Sequence, residues 1–501
     1  MEFILIILSS LLFTAPYYFP ALFFLSWFAF IPLIYLVREH DYSHSLIIAL
    51  LVGFLNSVFT LHWLYQPLNF ALKMPFSFNL FILFIYFLIS ALPLVFWVII
   101  NKFLQPKYSY SPIIAALSWS VLEYLRFEFF NFNPFNYFAY TQSDFSLIVQ
   151  YAGYGGIFLV SFIAVLIASY LVKIYLDPDW KKLIPLLFIF LLLALIPFFA
   201  KINFKEEVVS ESVDLLVAEP AAADNNFEKI EKEIANLTNL IKNNENEIIF
   251  TPEKSLSFDL IRNNYYRDQL FAKLENNLAA SYLQLGAAAA ENKNYKSEVY
   301  NSLFLLSKEM EVIQRSNKQG NIMTEMNFPF LEEVTGLMSD YLNFNPGSAK
   351  KTAATAEVNI NDLAYLNLFA EEIFIPLVDR KQNRAEDRNL IVHSAAEGDF
   401  KSRVYNNLSF AAAVFRASES STDLIRVVRG GFSGYITEKG KTAFKSRLVN
   451  SSQTVNLTLN KGQAYYQKYP LRIIIILTAI FSLIVIIKLI ILIKNKWSSR
   501  N

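Results

Sequence analysis

Apolar residues come in long, nearly uncharged runs along the first two-fifths of the chain and once more near its end. The runs lie at 3–15, 17–37, 45–65, 78–100, 112–130, 147–176, 183–200 and 473–493. A helix needs about 20 apolar residues to cross the hydrocarbon of a bilayer. The runs therefore predict about eight transmembrane helices, the first a short one stopping at Pro16. Between 205 and 468 the pattern changes to short alternating segments. Strands are expected at 213–218, 247–250, 283–288, 300–306, 390–393 and 427–436, and helices at 226–244, 262–282 and 408–419. Strands alternating with helices argue for an α/β domain. Three regions result: a helical bundle over 1–200, an α/β domain over 205–468 and a last span over 471–494.

Charge follows the same division. The first 200 residues hold 16 Asp, Glu, Lys and Arg, and the other 301 hold 71. A soluble chain carries about 25% charged residues. This one carries 17%, which excludes a simple soluble enzyme. Cationic loops tend to stay on the cytoplasmic side. With the N-terminus there, the inner loops and tail hold Arg38, Lys102, Lys107, Lys173, Lys181, Lys182, Lys494, Lys496 and Arg500. The short outer loops hold Lys73 and Arg126. Both termini are expected in the cytoplasm, with the α/β domain across the membrane. A net charge of +1 without a long basic run points away from nucleic acid.

The chain has no cysteine, so disulfide, metal–thiolate and thiol-nucleophile chemistry are all excluded. His40, His44, His62 and His393 are scattered without ligand spacing, and no metal or cofactor is expected. Trp119, Glu123 and Arg126 share roughly one helix face within an apolar run. Ionisable groups at that depth face a protein interior or a wet cavity. Either Glu123 and Arg126 satisfy each other, or the face meets a ligand. An aromatic loop with Tyr140 and Gln142 follows and could contact substrate at the outer interface.

A set of short motifs then recurs in a fixed order. In the apolar half these are Trp119, Glu123 and Arg126, Asn133-Pro134-Phe135, Tyr140-Thr141-Gln142, and Gly153-Tyr154-Gly155-Gly156-Ile157 with Ser161 and Phe162. In the polar half they are Thr251-Pro252-Glu253, Gly286, Tyr300-Asn301-Ser302, Leu408-Ser409-Phe410-Ala411, Arg416-Ala417 with Glu419, Arg426, and Gly431-Phe432-Ser433. Ala464-Tyr465-Tyr466-Gln467-Lys468 precedes the last span. Over nearly its whole length the chain resembles the apolipoprotein N-acyltransferases, bacterial membrane enzymes whose soluble domain belongs to the nitrilase, or carbon–nitrogen hydrolase, superfamily. The resemblance implies a membrane α-helical bundle joined to an αββα sandwich, in the bacterial inner membrane. It implies a phospholipid acyl donor, a diacylated lipoprotein acceptor, no cofactor, and lipid or substrate contact at Trp119, Glu123, Arg126, Tyr140 and Gln142.

The family reaction uses a Glu–Lys–Cys triad. A glutamate acts as base, a lysine stabilises the oxyanion, and a cysteine carries the acyl chain as a thioester to the lipoprotein's N-terminal amine. Glu253 matches the base. The family lysine lies eight residues before a second glutamate, here Glu325, which puts Asn317 in its place with Lys318 adjacent. Either the cation is lost and Lys318 is a solvated lysine, the reading the register favours, or a one-residue deletion restores Lys318. Ala370 falls on the nucleophile, with Glu372 matching the glutamate after it. The family's Asn-Asp turn reads Ala395-Ala396. Ser394, Glu371 and Glu372 stand nearby as replacement nucleophiles, unsupported by spacing. The expectation is a pseudoenzyme that has kept the scaffold and lost acyl transfer. The alternatives are an active acyltransferase with an unrecognised nucleophile, or a scaffold that binds lipid or lipoprotein.

Overall fold

In the computed structural model, Pro16 lies inside the first helix and Pro20 ends its continuation. The structure describes residues 1–72, 75–105, 110–130, 133–200, 208–219, 225–242, 244, 246–275, 277–293, 296–318, 357–360, 363–376, 389–460 and 465–498. The chain divides into two units. One comprises Met1–Tyr65, Lys73–Phe204 and Ala464–Asn501, the other Gln66–Leu72 and Lys205–Gln463.

The first unit is helical: α1 (Glu2–Tyr18), α2 (Phe30–Glu39), α3 (Tyr42–Leu61), α4 (Phe76–Leu104), α5 (Pro112–Leu125), α6 (Ala152–Leu176), α7 (Leu183–Ala200) and a C-terminal helix, Arg472–Ser498. The expected continuous helix over 17–37 is broken. Phe19 takes φ −133°, ψ 85°, and short turns at Pro20–Leu22 and Leu25–Phe28 lead into α2. The proline ring at 20 excludes helical backbone at the residue before it. Among the described residues, Pro20–Glu39, Tyr42–Asn69, Phe76–Leu104, Ala152–Leu176 and Arg472–Ser498 are long and apolar enough to cross a membrane, with Glu2–Tyr18 shorter. A core of Phe13, Phe30, Leu33, Val52, Trp97 and Val165, among others, joins these helices. Gly155 and Gly156 interrupt the helical geometry of α6, with Gly156 at φ +65°. The Tyr466 ring covers Gly156, where a Cβ would fall 2.6 Å from it. Two motifs about 310 residues apart thus meet in one contact.

The second unit is built on two six-stranded sheets. The first has the order β12-β1-β2-β3-β4-β5, with β1 (Val208–Val217), β2 (Ile248–Phe250), β3 (Tyr282–Lys293), β4 (Lys296–Ser307), β5 (Val312–Asn317) and β12 (Ser451–Asn460). The second has the order β11-β10-β9-β8-β7-β6, with β6 (Glu357–Ile360), β7 (Leu363–Phe369), β8 (Leu390–Ala396), β9 (Asp423–Arg429), β10 (Ser433–Ile436) and β11 (Thr442–Ser446). Val213, Leu215, Ile248 and Phe250 of one sheet pack against Leu363, Tyr365, Val392 and Val427 of the other. Helices α8 (Asn226–Ile241) and α9 (Asn264–Glu275) cover the outer face of the first sheet through Ile234, Leu237, Leu270 and Leu274. Helix α10 (Arg403–Ser420) lies on the second, which gives αββα layering.

Two elements differ from the sequence expectation. The strand at 427–436 is a hairpin: β9 and β10 pair antiparallel, and Gly430 at φ +74° makes the turn. A Cβ at Gly430 would lie 2.4 Å from Gly398 Cα, so two backbones meet there. The helix expected to run to 282 ends at Glu275, where the Asn277 side chain donates to Lys273 O and β3 begins soon after.

Candidate functional site

The parallel strand β2 delivers Thr251-Pro252-Glu253 to one end of the first sheet. Thr251 N–H donates to Gln284 O at 3.0 Å, and Gly286 N–H donates to Thr251 Oγ1 at 3.1 Å. A Cβ at Gly286 would lie 2.0 Å from Pro252 O, so this crossing needs glycine. Glu253 is 1% exposed, and its Oε1 accepts from Asn301 Nδ2 at 2.9 Å. Asn301 sits on β4, the neighbour of β3. Lys318 directly follows β5 and donates its backbone N–H to Asn301 O at 2.9 Å. Its Nζ lies 3.4 Å from Glu253 Oε1 and 2.7 Å from Glu371 Oε2.

This placement corrects the sequence reading of Lys318 as solvated. Its side chain is 12% exposed and joins two buried carboxylates. Eight residues back from Glu325 is Asn317, one position before Lys318. Asn317, the residue the count selected, instead accepts from Ser302 Oγ at 2.7 Å. Glu325 lies outside the described residues.

The second sheet supplies the other side. Strand β7 ends at Phe369, and Ala370 turns the chain at φ +33° into a short 3₁₀ segment, Ala370–Phe374. Left-handed backbone at a residue with a Cβ costs on the order of 1–3 kcal/mol and is held only by its surroundings. Here Phe369 N–H donates to Glu372 Oε2 at 3.1 Å, and Ala370 O lies 2.8 Å from His393 Nε2. Ala370 packs with Ala395 and Val428 in a small apolar cluster. Ser394 Oγ donates to Thr251 O at 3.0 Å and links the sheets at the same end. Glu397 accepts from Arg426 Nη2 at 2.8 Å, and Arg426 Nη1 also donates to Ser409 O and Oγ.

Electrostatics follow from this burial. Desolvation raises Glu253 above the ordinary carboxylate range, opposed by the Lys318 ammonium. For Lys318, burial disfavours the charged form, but the carboxylates of Glu253 and Glu371 outweigh it and raise the pKa. The site thus combines a carboxyl group shifted toward neutrality, suited to general-base work, with a cation that stays charged. The strained turn beside them carries only a methyl group.

In the helical unit, Trp119, Glu123 and Arg126 line a cavity together with Phe13, Ser57 and Asn136. Glu123 and Arg126 have separate partners: Glu123 Oε1 accepts Phe138 N–H at 2.7 Å, and Arg126 Nη1 donates to Asn136 Oδ1 at 3.0 Å. Trp119 lies among Phe30, Trp97 and Phe138, with centroids 5.4–5.8 Å apart. Tyr140 and Gln142 are buried outside that lining. Gln142 donates to Ser26 Oγ and Thr141 Oγ1 and accepts from Trp27 Nε1.

Known proteins resemble parts or most of this chain. Residues 9–170 match the model of the apolipoprotein N-acyltransferase N-terminal domain. Along 93% of this chain and 91% of the relative, the sequence is 24% identical to an apolipoprotein N-acyltransferase of Geobacter metallireducens. Both matches are to apolipoprotein N-acyltransferases, which the chain resembles over nearly its whole length. Among solved structures, a Xanthomonas campestris CN-hydrolase superfamily protein with an arsenic adduct in its active site aligns at TM-score 0.36 and 12% identity, over 50% of this chain and 91% of that one. Within the N-acyltransferase pattern, sequence reasoning passed over Asn301 and Glu371. Asn301 stood inside a quoted motif without a role, and Glu371 was weighed only as a substitute nucleophile. Glu371 was signalled by standing next to Ala370 in the sequence, whereas Asn301 reaches Glu253 only through the pairing of β4 with β3.

Proposed function

We propose that this chain is a bacterial membrane protein that has kept the N-acyltransferase scaffold for binding lipid or lipoprotein and has lost acyl transfer. The observation that carries the reading is the left-handed turn at Ala370, beside the Glu253–Lys318–Glu371 cluster. Family resemblance assigns that turn to the thiolate nucleophile. A methyl group cannot attack an ester or hold an acyl chain. The nearby groups that could replace it are already engaged: Ser394 with Thr251 O, Glu371 with Lys318, and Glu372 with Phe369 N–H. In this reading Glu253 is the former base, Lys318 the former oxyanion cation, and Glu325 and Glu372 its supporting carboxylates. Trp119, Glu123 and Arg126 contact lipid at the bundle cavity, while Tyr140 and Gln142 hold the loop that frames it. The excess of Lys and Arg in alternate loops supports cytoplasmic termini and an extracytoplasmic α/β domain.

The test is an acyl-transfer assay on the full chain in liposomes, with labelled phospholipid and a diacylated lipopeptide. Lipid or lipopeptide binding without transfer supports the proposal. Transfer by the unmodified chain that disappears in Glu253→Gln overturns it and identifies an active enzyme with another nucleophile.

A further inference from the structure

Three helix ends converge on a cluster that the family reaction does not use. Glu2 opens α1, His40 caps the end of α2, and His44 lies in the first turn of α3. One carboxylate oxygen and one ring nitrogen from each histidine lie within 4.8 Å of one another. Glu2 Oε1 is 2.6 Å from His44 Nε2, and Glu2 Oε2 is 3.6 Å from His40 Nε2. The two imidazoles stack at 4.3 Å between centroids. The histidines looked scattered in sequence because His40 and His44 flank a helix boundary, and Glu2 is far from both.

We infer that Glu2, His40 and His44 form a binding site for a divalent transition-metal ion of the zinc class. The local hydrogen bonds point to a cation. His40 Nδ1 lies 2.9 Å from Leu36 O, and only a protonated nitrogen makes that bond. In the neutral ring, Nε2 then carries a lone pair aimed at a carboxylate oxygen, so two acceptors face each other. A metal ion satisfies all three groups at once. A backbone carbonyl fixing the distal nitrogen is the usual outer support of a metal-bound histidine.

The spacing also suits the ion. Ligand atoms bound to a tetrahedral zinc at 2.0–2.2 Å lie about 3.4 Å from each other; Glu2 and His40 are 3.6 Å apart, and Glu2 and His44 are 2.6 Å apart in a hydrogen bond that the ion would replace and lengthen. Two imidazoles and a carboxylate are a nitrogen–oxygen donor set favoured by zinc and its neighbours. Three protein ligands leave the fourth position to water. His44 is set by its helix start, where its backbone N–H donates to Asp41 Oδ1 at 3.2 Å. The bound ion would clip the first residues of α1 to the α2–α3 junction.

The experiment uses the full chain, purified in detergent with a histidine-free tag at its C-terminus and stripped with chelator. Co²⁺ is titrated while its visible ligand-field bands are recorded, followed by displacement with Zn²⁺. The proposal expects one saturable equivalent, displaced by one equivalent of Zn²⁺. Glu2→Gln and His44→Gln should each weaken binding at least tenfold, and His62→Gln should leave it unchanged. Melting curves of the metal-free variants, matched to the unmodified chain, separate loss of a ligand from loss of the fold. Absence of saturable Co²⁺ bands overturns the site. So do bands that persist in the His40→Gln/His44→Gln double variant.

Discussion

Lys318 Nζ lies 2.7 Å from Glu371 Oε2, and this contact ties the residue after Ala370 to the opposite sheet. Replacing Lys318 with Met leaves Glu253 and Glu371 buried without their cation. Removing one partner of a buried ion pair costs about 3–5 kcal/mol. The expected result is faster hydrogen exchange at the ends of β2 and β7 in Lys318→Met. Glu371→Gln in the same chain should return part of the loss. If exchange in the single variant matches that of the unmodified protein, the cluster does not hold the sheets together.

Ala370→Cys places a thiol on a turn whose backbone is already left-handed. The variant is expected to take up an acyl chain from phospholipid, read as a hydroxylamine-sensitive mass increase, while the unmodified chain stays unlabelled. Adding Glu253→Gln should slow labelling about 10²–10⁴-fold, the usual worth of a positioned base. Labelling that is insensitive to Glu253 would remove the carboxyl group from the base role.

Asp423 supplies a pH prediction remote from the cluster. Burial raises its pKa from 3.8 to about 7, although Tyr435 Oη and Glu438 N–H both donate to it at 2.8 Å. The folded carboxyl therefore holds its proton more tightly than the unfolded one. Its contribution to stability is complete below about pH 4 and is lost as pH rises through about 7. At about 1.4 kcal/mol per pKa unit, the decline amounts to a few kcal/mol at most. Exchange protection of β9 and β10 should fall over that range, and Asp423→Asn should flatten the profile.

Much of the architecture was legible because lipid and core burial impose long, simple patterns. The 78–100 and 147–176 runs sit inside α4 and largely inside α6, since every backbone group in a bilayer must pair within its own helix. Strand β8, expected at 390–393, continues to Ala396, because small residues can extend a buried strand without announcing it. Features set by tertiary contact were hidden. Glycines at 430 and 431 read as part of one strand, but the turn depends on the close approach of Gly398. Lys318 looked solvated because its carboxylate partners, Glu253 and Glu371, come from distant parts of the sequence. Glu253 was readable from its Thr-Pro-Glu motif, whereas its partner Asn301 became visible only once β4 lay beside β3.

Gly156 offers a test in the helical unit. Its φ of +65° opposes any side chain, and so does the Tyr466 ring, 2.6 Å from where a Cβ would stand. Gly156→Ala should cost on the order of 1–3 kcal/mol, seen as a lower melting temperature in detergent. Tyr466→Ala in that background should recover the part due to the clash and leave the part due to the backbone. Recovery of the whole loss would show that the left-handed conformation carries no cost.

The pairing of β1 with β12 has a mechanical consequence. Val208 stands opposite Asn460 and Val217 opposite Ser451, so the sandwich begins and ends at the same end of one antiparallel ladder. Tension applied through the two flanking segments would load the Val208–Asn460 pair first. It would peel the ladder open one rung at a time, as a zipper opens, where a shearing load would strain all the rungs together. The sandwich is thus weakest against a pull that separates its own ends.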